Sequence, residues 1–371
     1  MRGVLSPVYS PWPLSVDRAE GMKIWTDKGV FLDGFSGIGV LPLGHCHPDV
    51  IRAIGEKAAR YVHLSNFFLD PDADAVAEKL TAMTGRPGEV YFSNSGAEAN
   101  EAAMKAVKKH RKGLIISFEG NFHGRTLGAL SVTWGPAMRE PFNPLLPGCV
   151  FLPPDGEALL RFARENDVAA VFLECVQGNS GVRPMNDGLA GAVKEMQRER
   201  GVLVVADEIQ GGLGRTGKYF SYMHWGLEPD IVTVGKGVGG GLPLGAAVFC
   251  GWSPFGSGDH GSTFAPNPLS LAAGRATLAH ITPEFVDKVA RKGKRFMKSL
   301  AKLSWAGEVR GRGLMAGVAA EDAPAVQKKA FDRGVLLNVA GGAIRFLPSL
   351  LASEDELDEL ADRLNFQQAS L

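Results

Sequence analysis

The sequence predicts an α/β fold, with a large domain on a mostly parallel central sheet and a small α+β domain formed by the N- and C-terminal segments. Three observations predict it. Short β-rich runs recur at 114–117, 150–152, 169–173, 202–206, 231–234 and 246–249. Several of these are continuously apolar, as strands covered on both faces are. Helical patterns separate many of them, such as 187–200 after the 169–173 run, and strand–helix alternation implies parallel pairing. The pattern then changes. Helical stretches at 283–303 and 324–333 flank VRGRGLMAGVAA, two strand runs in VLLNVAGGAIRFLPSL are split by Gly341-Gly342, and a charged helix starts at Glu354. The strand pair in KIWTDKGVFLDGF is expected to join this part in space. The expected boundaries are 1–45 and 282–371 for the small domain and 46–281 for the large one.

Composition narrows the function classes. The 371 residues are 45% hydrophobic and 22% charged, as in an ordinary globular chain. Forty Lys+Arg balance forty Asp+Glu, so no nucleic-acid footprint is expected. No apolar run approaches the ~18 residues of a membrane span. Prolines 7, 11 and 13 interrupt any signal-peptide core, and a cytoplasmic location is expected. Cys46, Cys149, Cys175 and Cys250 form no CxxC pair, which suits a reducing compartment. His45 and His47 flank Cys46 and would share one side of an extended segment. A fourth ligand is not evident, and no metal is expected.

In open α/β sheets ligands gather at the carboxyl ends of strands, where Glu174, Asp207 and Lys236 all fall. Asp207 closes one apolar run, with Gln210 three residues on. Lys236 follows a second run into a glycine-rich turn. A lysine that binds an aldehyde and a carboxylate that keeps a pyridine nitrogen protonated are what pyridoxal 5'-phosphate (PLP) chemistry needs. GKGVGGG is no Walker-type loop, because Gly237 and not Ser or Thr follows Lys236. Ser95 and Glu98 form a capping-box pattern opening a helix that ends near His110. By itself that is an ordinary capped helix. Beside Asp207 and Lys236, the Gly96 and Ala97 amides at its positive end read as a phosphate cradle.

These motifs resemble the class III aminotransferases of fold type I, and within them the acetylornithine aminotransferase group. That group includes enzymes acting on amino acids tethered to a small acidic carrier protein. The resemblance rests on GHCHP at 44–48, SNSGAEANEAA at 93–103, NFHGRTLGALS at 121–131 and DEIQ at 207–210. It continues through GRTGK at 214–218, GKGVGGGLPLGA at 235–246, HGSTF at 260–264 and VRGRGLM at 309–315. The resemblance implies that Lys236 carries PLP and shuttles the proton, with Asp207 at the ring nitrogen and Gln210 toward the ring hydroxyl. Phe122 and Ile209 cover the two ring faces, and Ser95, Gly96 and Ala97 hold the phosphate. Thr263 is expected to reach the phosphate of a neighbouring subunit, which implies a homodimer with shared sites. Arg125 resembles the arginine that grips the carboxylate of an ω-amino donor, and Arg345 the one that binds glutamate or 2-oxoglutarate. Glu174 and Ser262 are placed with the substrate residues.

Three departures stand out. Asn179 occupies the position where the family has a glutamate that switches off the second arginine; it can hydrogen-bond Arg345 but not neutralise it, which predicts a weaker gate. Ile38 stands where ornithine aminotransferases tend to place a tyrosine for a free α-amine, favouring an Nα-blocked donor. Ala265-Pro266 replaces the common Gly-Gly after STF. The expected reaction moves the terminal amine of an Nα-blocked ornithine or lysine, acetylated or carrier-linked, to 2-oxoglutarate. Ornithine or 4-aminobutyrate transfer is the nearest alternative. Arg125 and Arg345 together favour two-substrate transfer over an aminomutase, and Lys236 with Asp207 opposes a non-catalytic PLP binder.

Overall fold

A computed structural model describes residues 6–366. Its centre is a seven-stranded sheet of Gly88–Ser93, Gly245–Cys250, Ile231–Val234, Leu203–Asp207, Val168–Leu173, Leu114–Phe118 and Cys149–Leu152, in that spatial order. Only Gly245–Cys250 runs against its neighbours, pairing antiparallel with both Ile231–Val234 and Gly88–Ser93. The six predicted runs are all strands of this sheet. The seventh, GEVYFS, was not predicted as a strand, because it opens on Gly88 and its first four residues are not buried. The reversed strand was equally hidden: being apolar along its whole length, it has the same pattern as its parallel neighbours.

Val204, Val205 and Ala206 are fully covered, as are Ile231, Val232 and Val234. Each large side chain buried here stabilises the sheet by roughly 1.5–3 kcal/mol. The covering helices begin where side chains cap them. Asn186 accepts from Leu189 to start Asp187–Arg200, and Gly201, in the left-handed region at φ 63°, ends it. Thr282 caps Pro283–Leu300, which stops three residues short of the expected 303 and continues as a turn. Ser353 and Glu356 form a full capping box on Glu354–Arg363.

Two four-stranded sheets and a two-stranded one, Val176–Gln177 with Arg183–Pro184, accompany the large one. Val309–Arg312, Met315–Ala319, Ala343–Phe346 and Asn338–Ala340 form one four-stranded sheet. The other joins Val16–Glu20, Lys23–Thr26 and Gly29–Asp33 to Val335–Leu336, with Leu32 opposite Val335. The N-terminal strands therefore do meet the C-terminal segment. VLL and NVA, read as one run, split between the two sheets. Among the described residues no helix is long and apolar enough to cross a membrane.

Candidate active site

The strand ends meet at a cavity of about 290 Å3. Lys236, Asp207, Ile209, Gln210, Phe122, Glu174, Asn179, Arg125, Arg345 and Ile38 all line it, ten of the residues singled out from sequence. Tyr9 lines it too and was missed, since nothing in the proline-rich SPVYSPWP marks a site residue.

Lys236 follows Gly235 directly off the Ile231–Val234 strand and has a left-handed backbone, φ 47°. A Cβ on Gly235 would lie 3.0 Å from the Gly96 Cα, so glycine lets the lysine turn and the phosphate-cradle helix come together. Burial lowers the Lys236 pKa, opposed by Asp207 and Glu174 and aided by Arg345. Near neutrality this enlarges the free-amine fraction, the form that acts as nucleophile or base.

Asp207 is held on both oxygens. Asn100 Nδ2 donates to Oδ2 at 2.8 Å, His123 Nδ1 lies 2.7 Å from the same oxygen, and the Ile209 amide donates to Oδ1 at 3.0 Å. Asn100 is itself fixed, donating to the His123 carbonyl at 2.7 Å and accepting from Thr233 Oγ1 at 2.8 Å. A connected buried network of this kind holds a carboxylate in one orientation. Asn100 and His123 lay inside the quoted motifs, but their link to Asp207 spans 107 and 84 residues.

The helix Gly96–His110 starts as expected, Ser95 Oγ accepting from the Glu98 amide at 3.2 Å. The reciprocal half of the capping box is shifted. With Ser95 extended (φ −151°), the Glu98 carboxylate takes the Asn94 amide at 2.5 Å instead of that of Ser95. A Cβ on Gly96 would sit 2.6 Å from Ile209 Cδ1, so the first turn packs directly on a cavity wall. The Gly96 and Ala97 amides thus lie in an open first turn next to the cavity, where an anion is favoured. Ser262 and Thr263 do not line this cavity. Ser262 Oγ accepts from Asn94 Nδ2 at 3.3 Å and from the Ala265 amide at 3.2 Å, and Thr263 is exposed.

The two arginines differ. Arg125 is exposed and has no ion-pair partner among the described residues. Arg345 is buried and donates to the Gly178 carbonyl and Gln210 Oε1, both at 3.2 Å, and to Asn338 Oδ1. The expected Asn179–Arg345 hydrogen bond is not made; Asn179 is exposed, and Asn338 on the adjacent strand takes that place. Burial brings the Arg345 pKa down to about 10, so it remains a cation at neutral pH. Ile38 lies in a run of left-handed residues, at φ 67°, uncommon for a β-branched side chain and a sign of a constrained wall.

Glu174 is buried, accepting from the Phe122 amide at 2.6 Å and the Gly178 amide at 3.2 Å. Burial, then repulsion from Asp207, pushes its pKa up to about 7. It is therefore largely neutral below that pH and a carboxylate above it, where it adds negative charge facing Arg345. Glutarate, an unreactive dicarboxylate, should bind the holoenzyme more weakly as pH rises through neutrality. Calorimetric titration of Glu174→Gln should show a much flatter dependence. An unchanged slope in that variant would remove Glu174 as the cause.

The histidines of GHCHP do not share a side. Cys46 turns left-handed at φ 51°; His45 Nε2 meets Asp33 Oδ2 at 2.8 Å, while His47 packs edge-on against His280 with centroids 4.7 Å apart. His47, Asp49 and His280 form a group with ligand atoms within 4.8 Å of one another, in which His280 and Asp49 already bond at 2.9 Å.

The donor set fits PLP. A lysine with lowered pKa and a rigidly held carboxylate face one cavity, flanked by an aromatic ring, an isoleucine and an open helix N-terminus. Residues 4–367 match the family model for class-III aminotransferases. The acetylornithine aminotransferase of Methanopyrus kandleri is 42% identical over 371 residues, covering 96% of this chain and 95% of that protein. That of Caldanaerobacter subterraneus is 39% identical, covering 96% and 94%. Among solved structures, N-acetylornithine aminotransferase from Stenotrophomonas maltophilia matches with a TM-score of 0.82 at 33% identity, covering 96% of this chain and 95% of that one. Ornithine aminotransferase from Toxoplasma gondii, with partial occupancy of PLP at its active site, matches with a TM-score of 0.91 at 30% identity, covering 98% and 91%. The chain belongs to the class-III aminotransferase family and is a PLP-dependent aminotransferase.

Proposed function

We propose that this chain moves the terminal amino group of an Nα-blocked ornithine or lysine to 2-oxoglutarate, giving a semialdehyde and glutamate in arginine or lysine synthesis. N-acetylornithine is the first donor to test, since relatives at 39–42% identity carry that name. The observation that carries the reading is the pair of cationic guanidiniums on one lysine-bearing cavity, Arg125 unpaired and Arg345 held by neutral acceptors only. A guanidinium receives a carboxylate through two parallel hydrogen bonds and fixes its orientation. Arg125 seats the carboxylate of the ω-amino donor, and Arg345 seats that of glutamate or 2-oxoglutarate.

PLP, when bound, supplies a reactive aldehyde and an electron sink. Lys236 would hold that aldehyde through its amine and, with the amine free, would act as the base that moves a proton at the substrate. Asp207, fixed by Asn100 and His123, keeps the ring nitrogen protonated. Gln210 would face the ring hydroxyl, Phe122 and Ile209 would cover the ring, and Ser95, Gly96 and Ala97 would hold the phosphate. Glu174 and Asn179 line the substrate end. The site is completed in a homodimer. Phe67, Leu69 and Phe264 are exposed apolar side chains near Thr263, and Asn66 ties the two loops together by donating to the Ser262 and Ala265 carbonyls. Thr263, with Ser262 behind it, reaches the partner's phosphate. The same reading divides the chain into a large domain at 46–281 and a small one from 1–45 and 282–371.

Ile38 gives the donor end an apolar wall, which an acylated α-nitrogen tolerates and a free ammonium does not. Tyr9 lines the same cavity, and its hydroxyl could accept from a free α-amine, which is the feature favouring free ornithine. Stopped-flow measurement of the donor half-reaction decides between them. N-acetylornithine and a carrier-linked ornithine or lysine should react fast, with free ornithine and 4-aminobutyrate slow. The relative rates of the blocked donors then separate the acetyl compound from the carrier. Equal or faster reaction with free ornithine would transfer the chain to the ornithine reading.

A further inference from the structure

We propose that Asn338 determines how Arg345 treats carboxylates: it holds the guanidinium in its receiving pose without cancelling its charge, so the dicarboxylate seat stays open. The inference rests on the reading of Arg345 as the seat of 2-oxoglutarate and glutamate. Asn338 and Arg345 are register partners on the antiparallel strands Asn338–Ala340 and Ala343–Phe346. Partners directly opposite on one sheet face stand close enough to interact through their side chains. Arg345 Nη2 donates to Asn338 Oδ1, while Nη1 is shared between the Gly178 carbonyl and Gln210 Oε1.

All three acceptors are neutral, and no carboxylate forms an ion pair with Arg345 among the described residues. Its Nε is buried without a partner. Three of its five N–H donors are engaged, so the guanidinium is positioned and still has donors for an incoming carboxylate. A carboxylate at position 338 would instead neutralise the cation in place. The gate therefore depends on position 338 more than on 179. Asn179 is exposed and unbonded to Arg345, so a glutamate there would have to compete with an acceptor already seated.

Asn338→Asp tests this with almost no change of shape. The holoenzyme is titrated calorimetrically with glutarate, and its donor and 2-oxoglutarate half-reactions are followed separately by cofactor absorbance. Asn338→Asp should weaken glutarate binding and raise the KM for 2-oxoglutarate by about 10-fold or more, the scale of a charge-assisted hydrogen bond. The donor half-reaction should be unchanged. Acidification that protonates the new aspartate should narrow the gap in glutarate affinity to the wild type measured at the same pH, which a structural defect would not do. Asn338→Ser, lacking the charge, should weaken binding less and show only the wild-type pH dependence that Glu174 imposes. Asn179→Glu should have a smaller effect than Asn338→Asp. The inference fails if Asn338→Asp binds glutarate as the wild type does while Arg345→Gln binds it poorly, or if both half-reactions fall together. If Arg345→Gln also binds glutarate normally, the reading of Arg345 itself fails.

Discussion

Lys236→Ala should lower turnover with every amino donor by at least ~10²–10⁴-fold, the usual contribution of a positioned proton-transfer group, and should do so without unfolding the chain. The backbone at Lys236 is already left-handed, so alanine adds no strain that lysine did not carry. The amine faces the cavity and not the core. Electrostatics give a second readout. Asp207 and Glu174 both favour the charged lysine, and reciprocally the lysine favours the ionised form of Glu174. Its removal should push the Glu174 pKa further up from about 7, moving the decline of glutarate affinity to higher pH. Rescue of the variant by small added amines, measured in single-turnover experiments, should restore part of the proton transfer. Turnover near the wild-type level would mean that another base does this work.

The parts of this architecture legible in the sequence are those that local pattern controls. Continuous apolar runs located six strands, and the Ser95 cap and the charged pattern from Glu354 located helix starts within a residue or so. Strand ends then placed Glu174, Asp207 and Lys236 correctly on one cavity. What the sequence hid is long-range register. The Asn100–Asp207 bond and the Asn338–Arg345 pair depend on which strands and helices become neighbours, and neither residue type announces that in its own segment. Asn179 lines the cavity, but its motif position could not show that Asn338 on the neighbouring strand is the side chain seated on Arg345. Tyr9 belongs to an N-terminal stretch whose prolines give no periodicity, so only the folded chain brings it to the cavity. The shifted capping box at Asn94 shows the limit of motif geometry at the scale of one residue.

Asp207→Asn should cost about 10²–10³-fold in turnover, comparable with removing a preorganised charge from a reacting centre, while leaving the fold nearly intact. Asparagine fills the same space, but its single amide oxygen can serve either the Asn100 and His123 side or the Ile209 amide, not both, so the network loses the charge and one bond. With the oxygen turned toward Asn100 and His123, which share the Oδ2 position, the weak point is the Ile209 amide, which then faces the side-chain NH2 and loses its acceptor. A fall of roughly 1 kcal/mol in stability is expected from that contact, far less than the ~3–5 kcal/mol of stranding a buried charge. The two effects can be separated, because Asn100→Ala should disturb the same network while retaining the carboxylate, and should therefore retain more activity. Removing the Asp207 charge also removes one cause that raises Glu174, whose pKa should drop. The fall in glutarate affinity should then begin at lower pH, opposite in direction to the shift in Lys236→Ala. Near-normal turnover in Asp207→Asn would show that the ring nitrogen needs no negative partner here. Shifts of the same sign in both variants would show that Glu174 is not electrically coupled to the two groups as their positions imply.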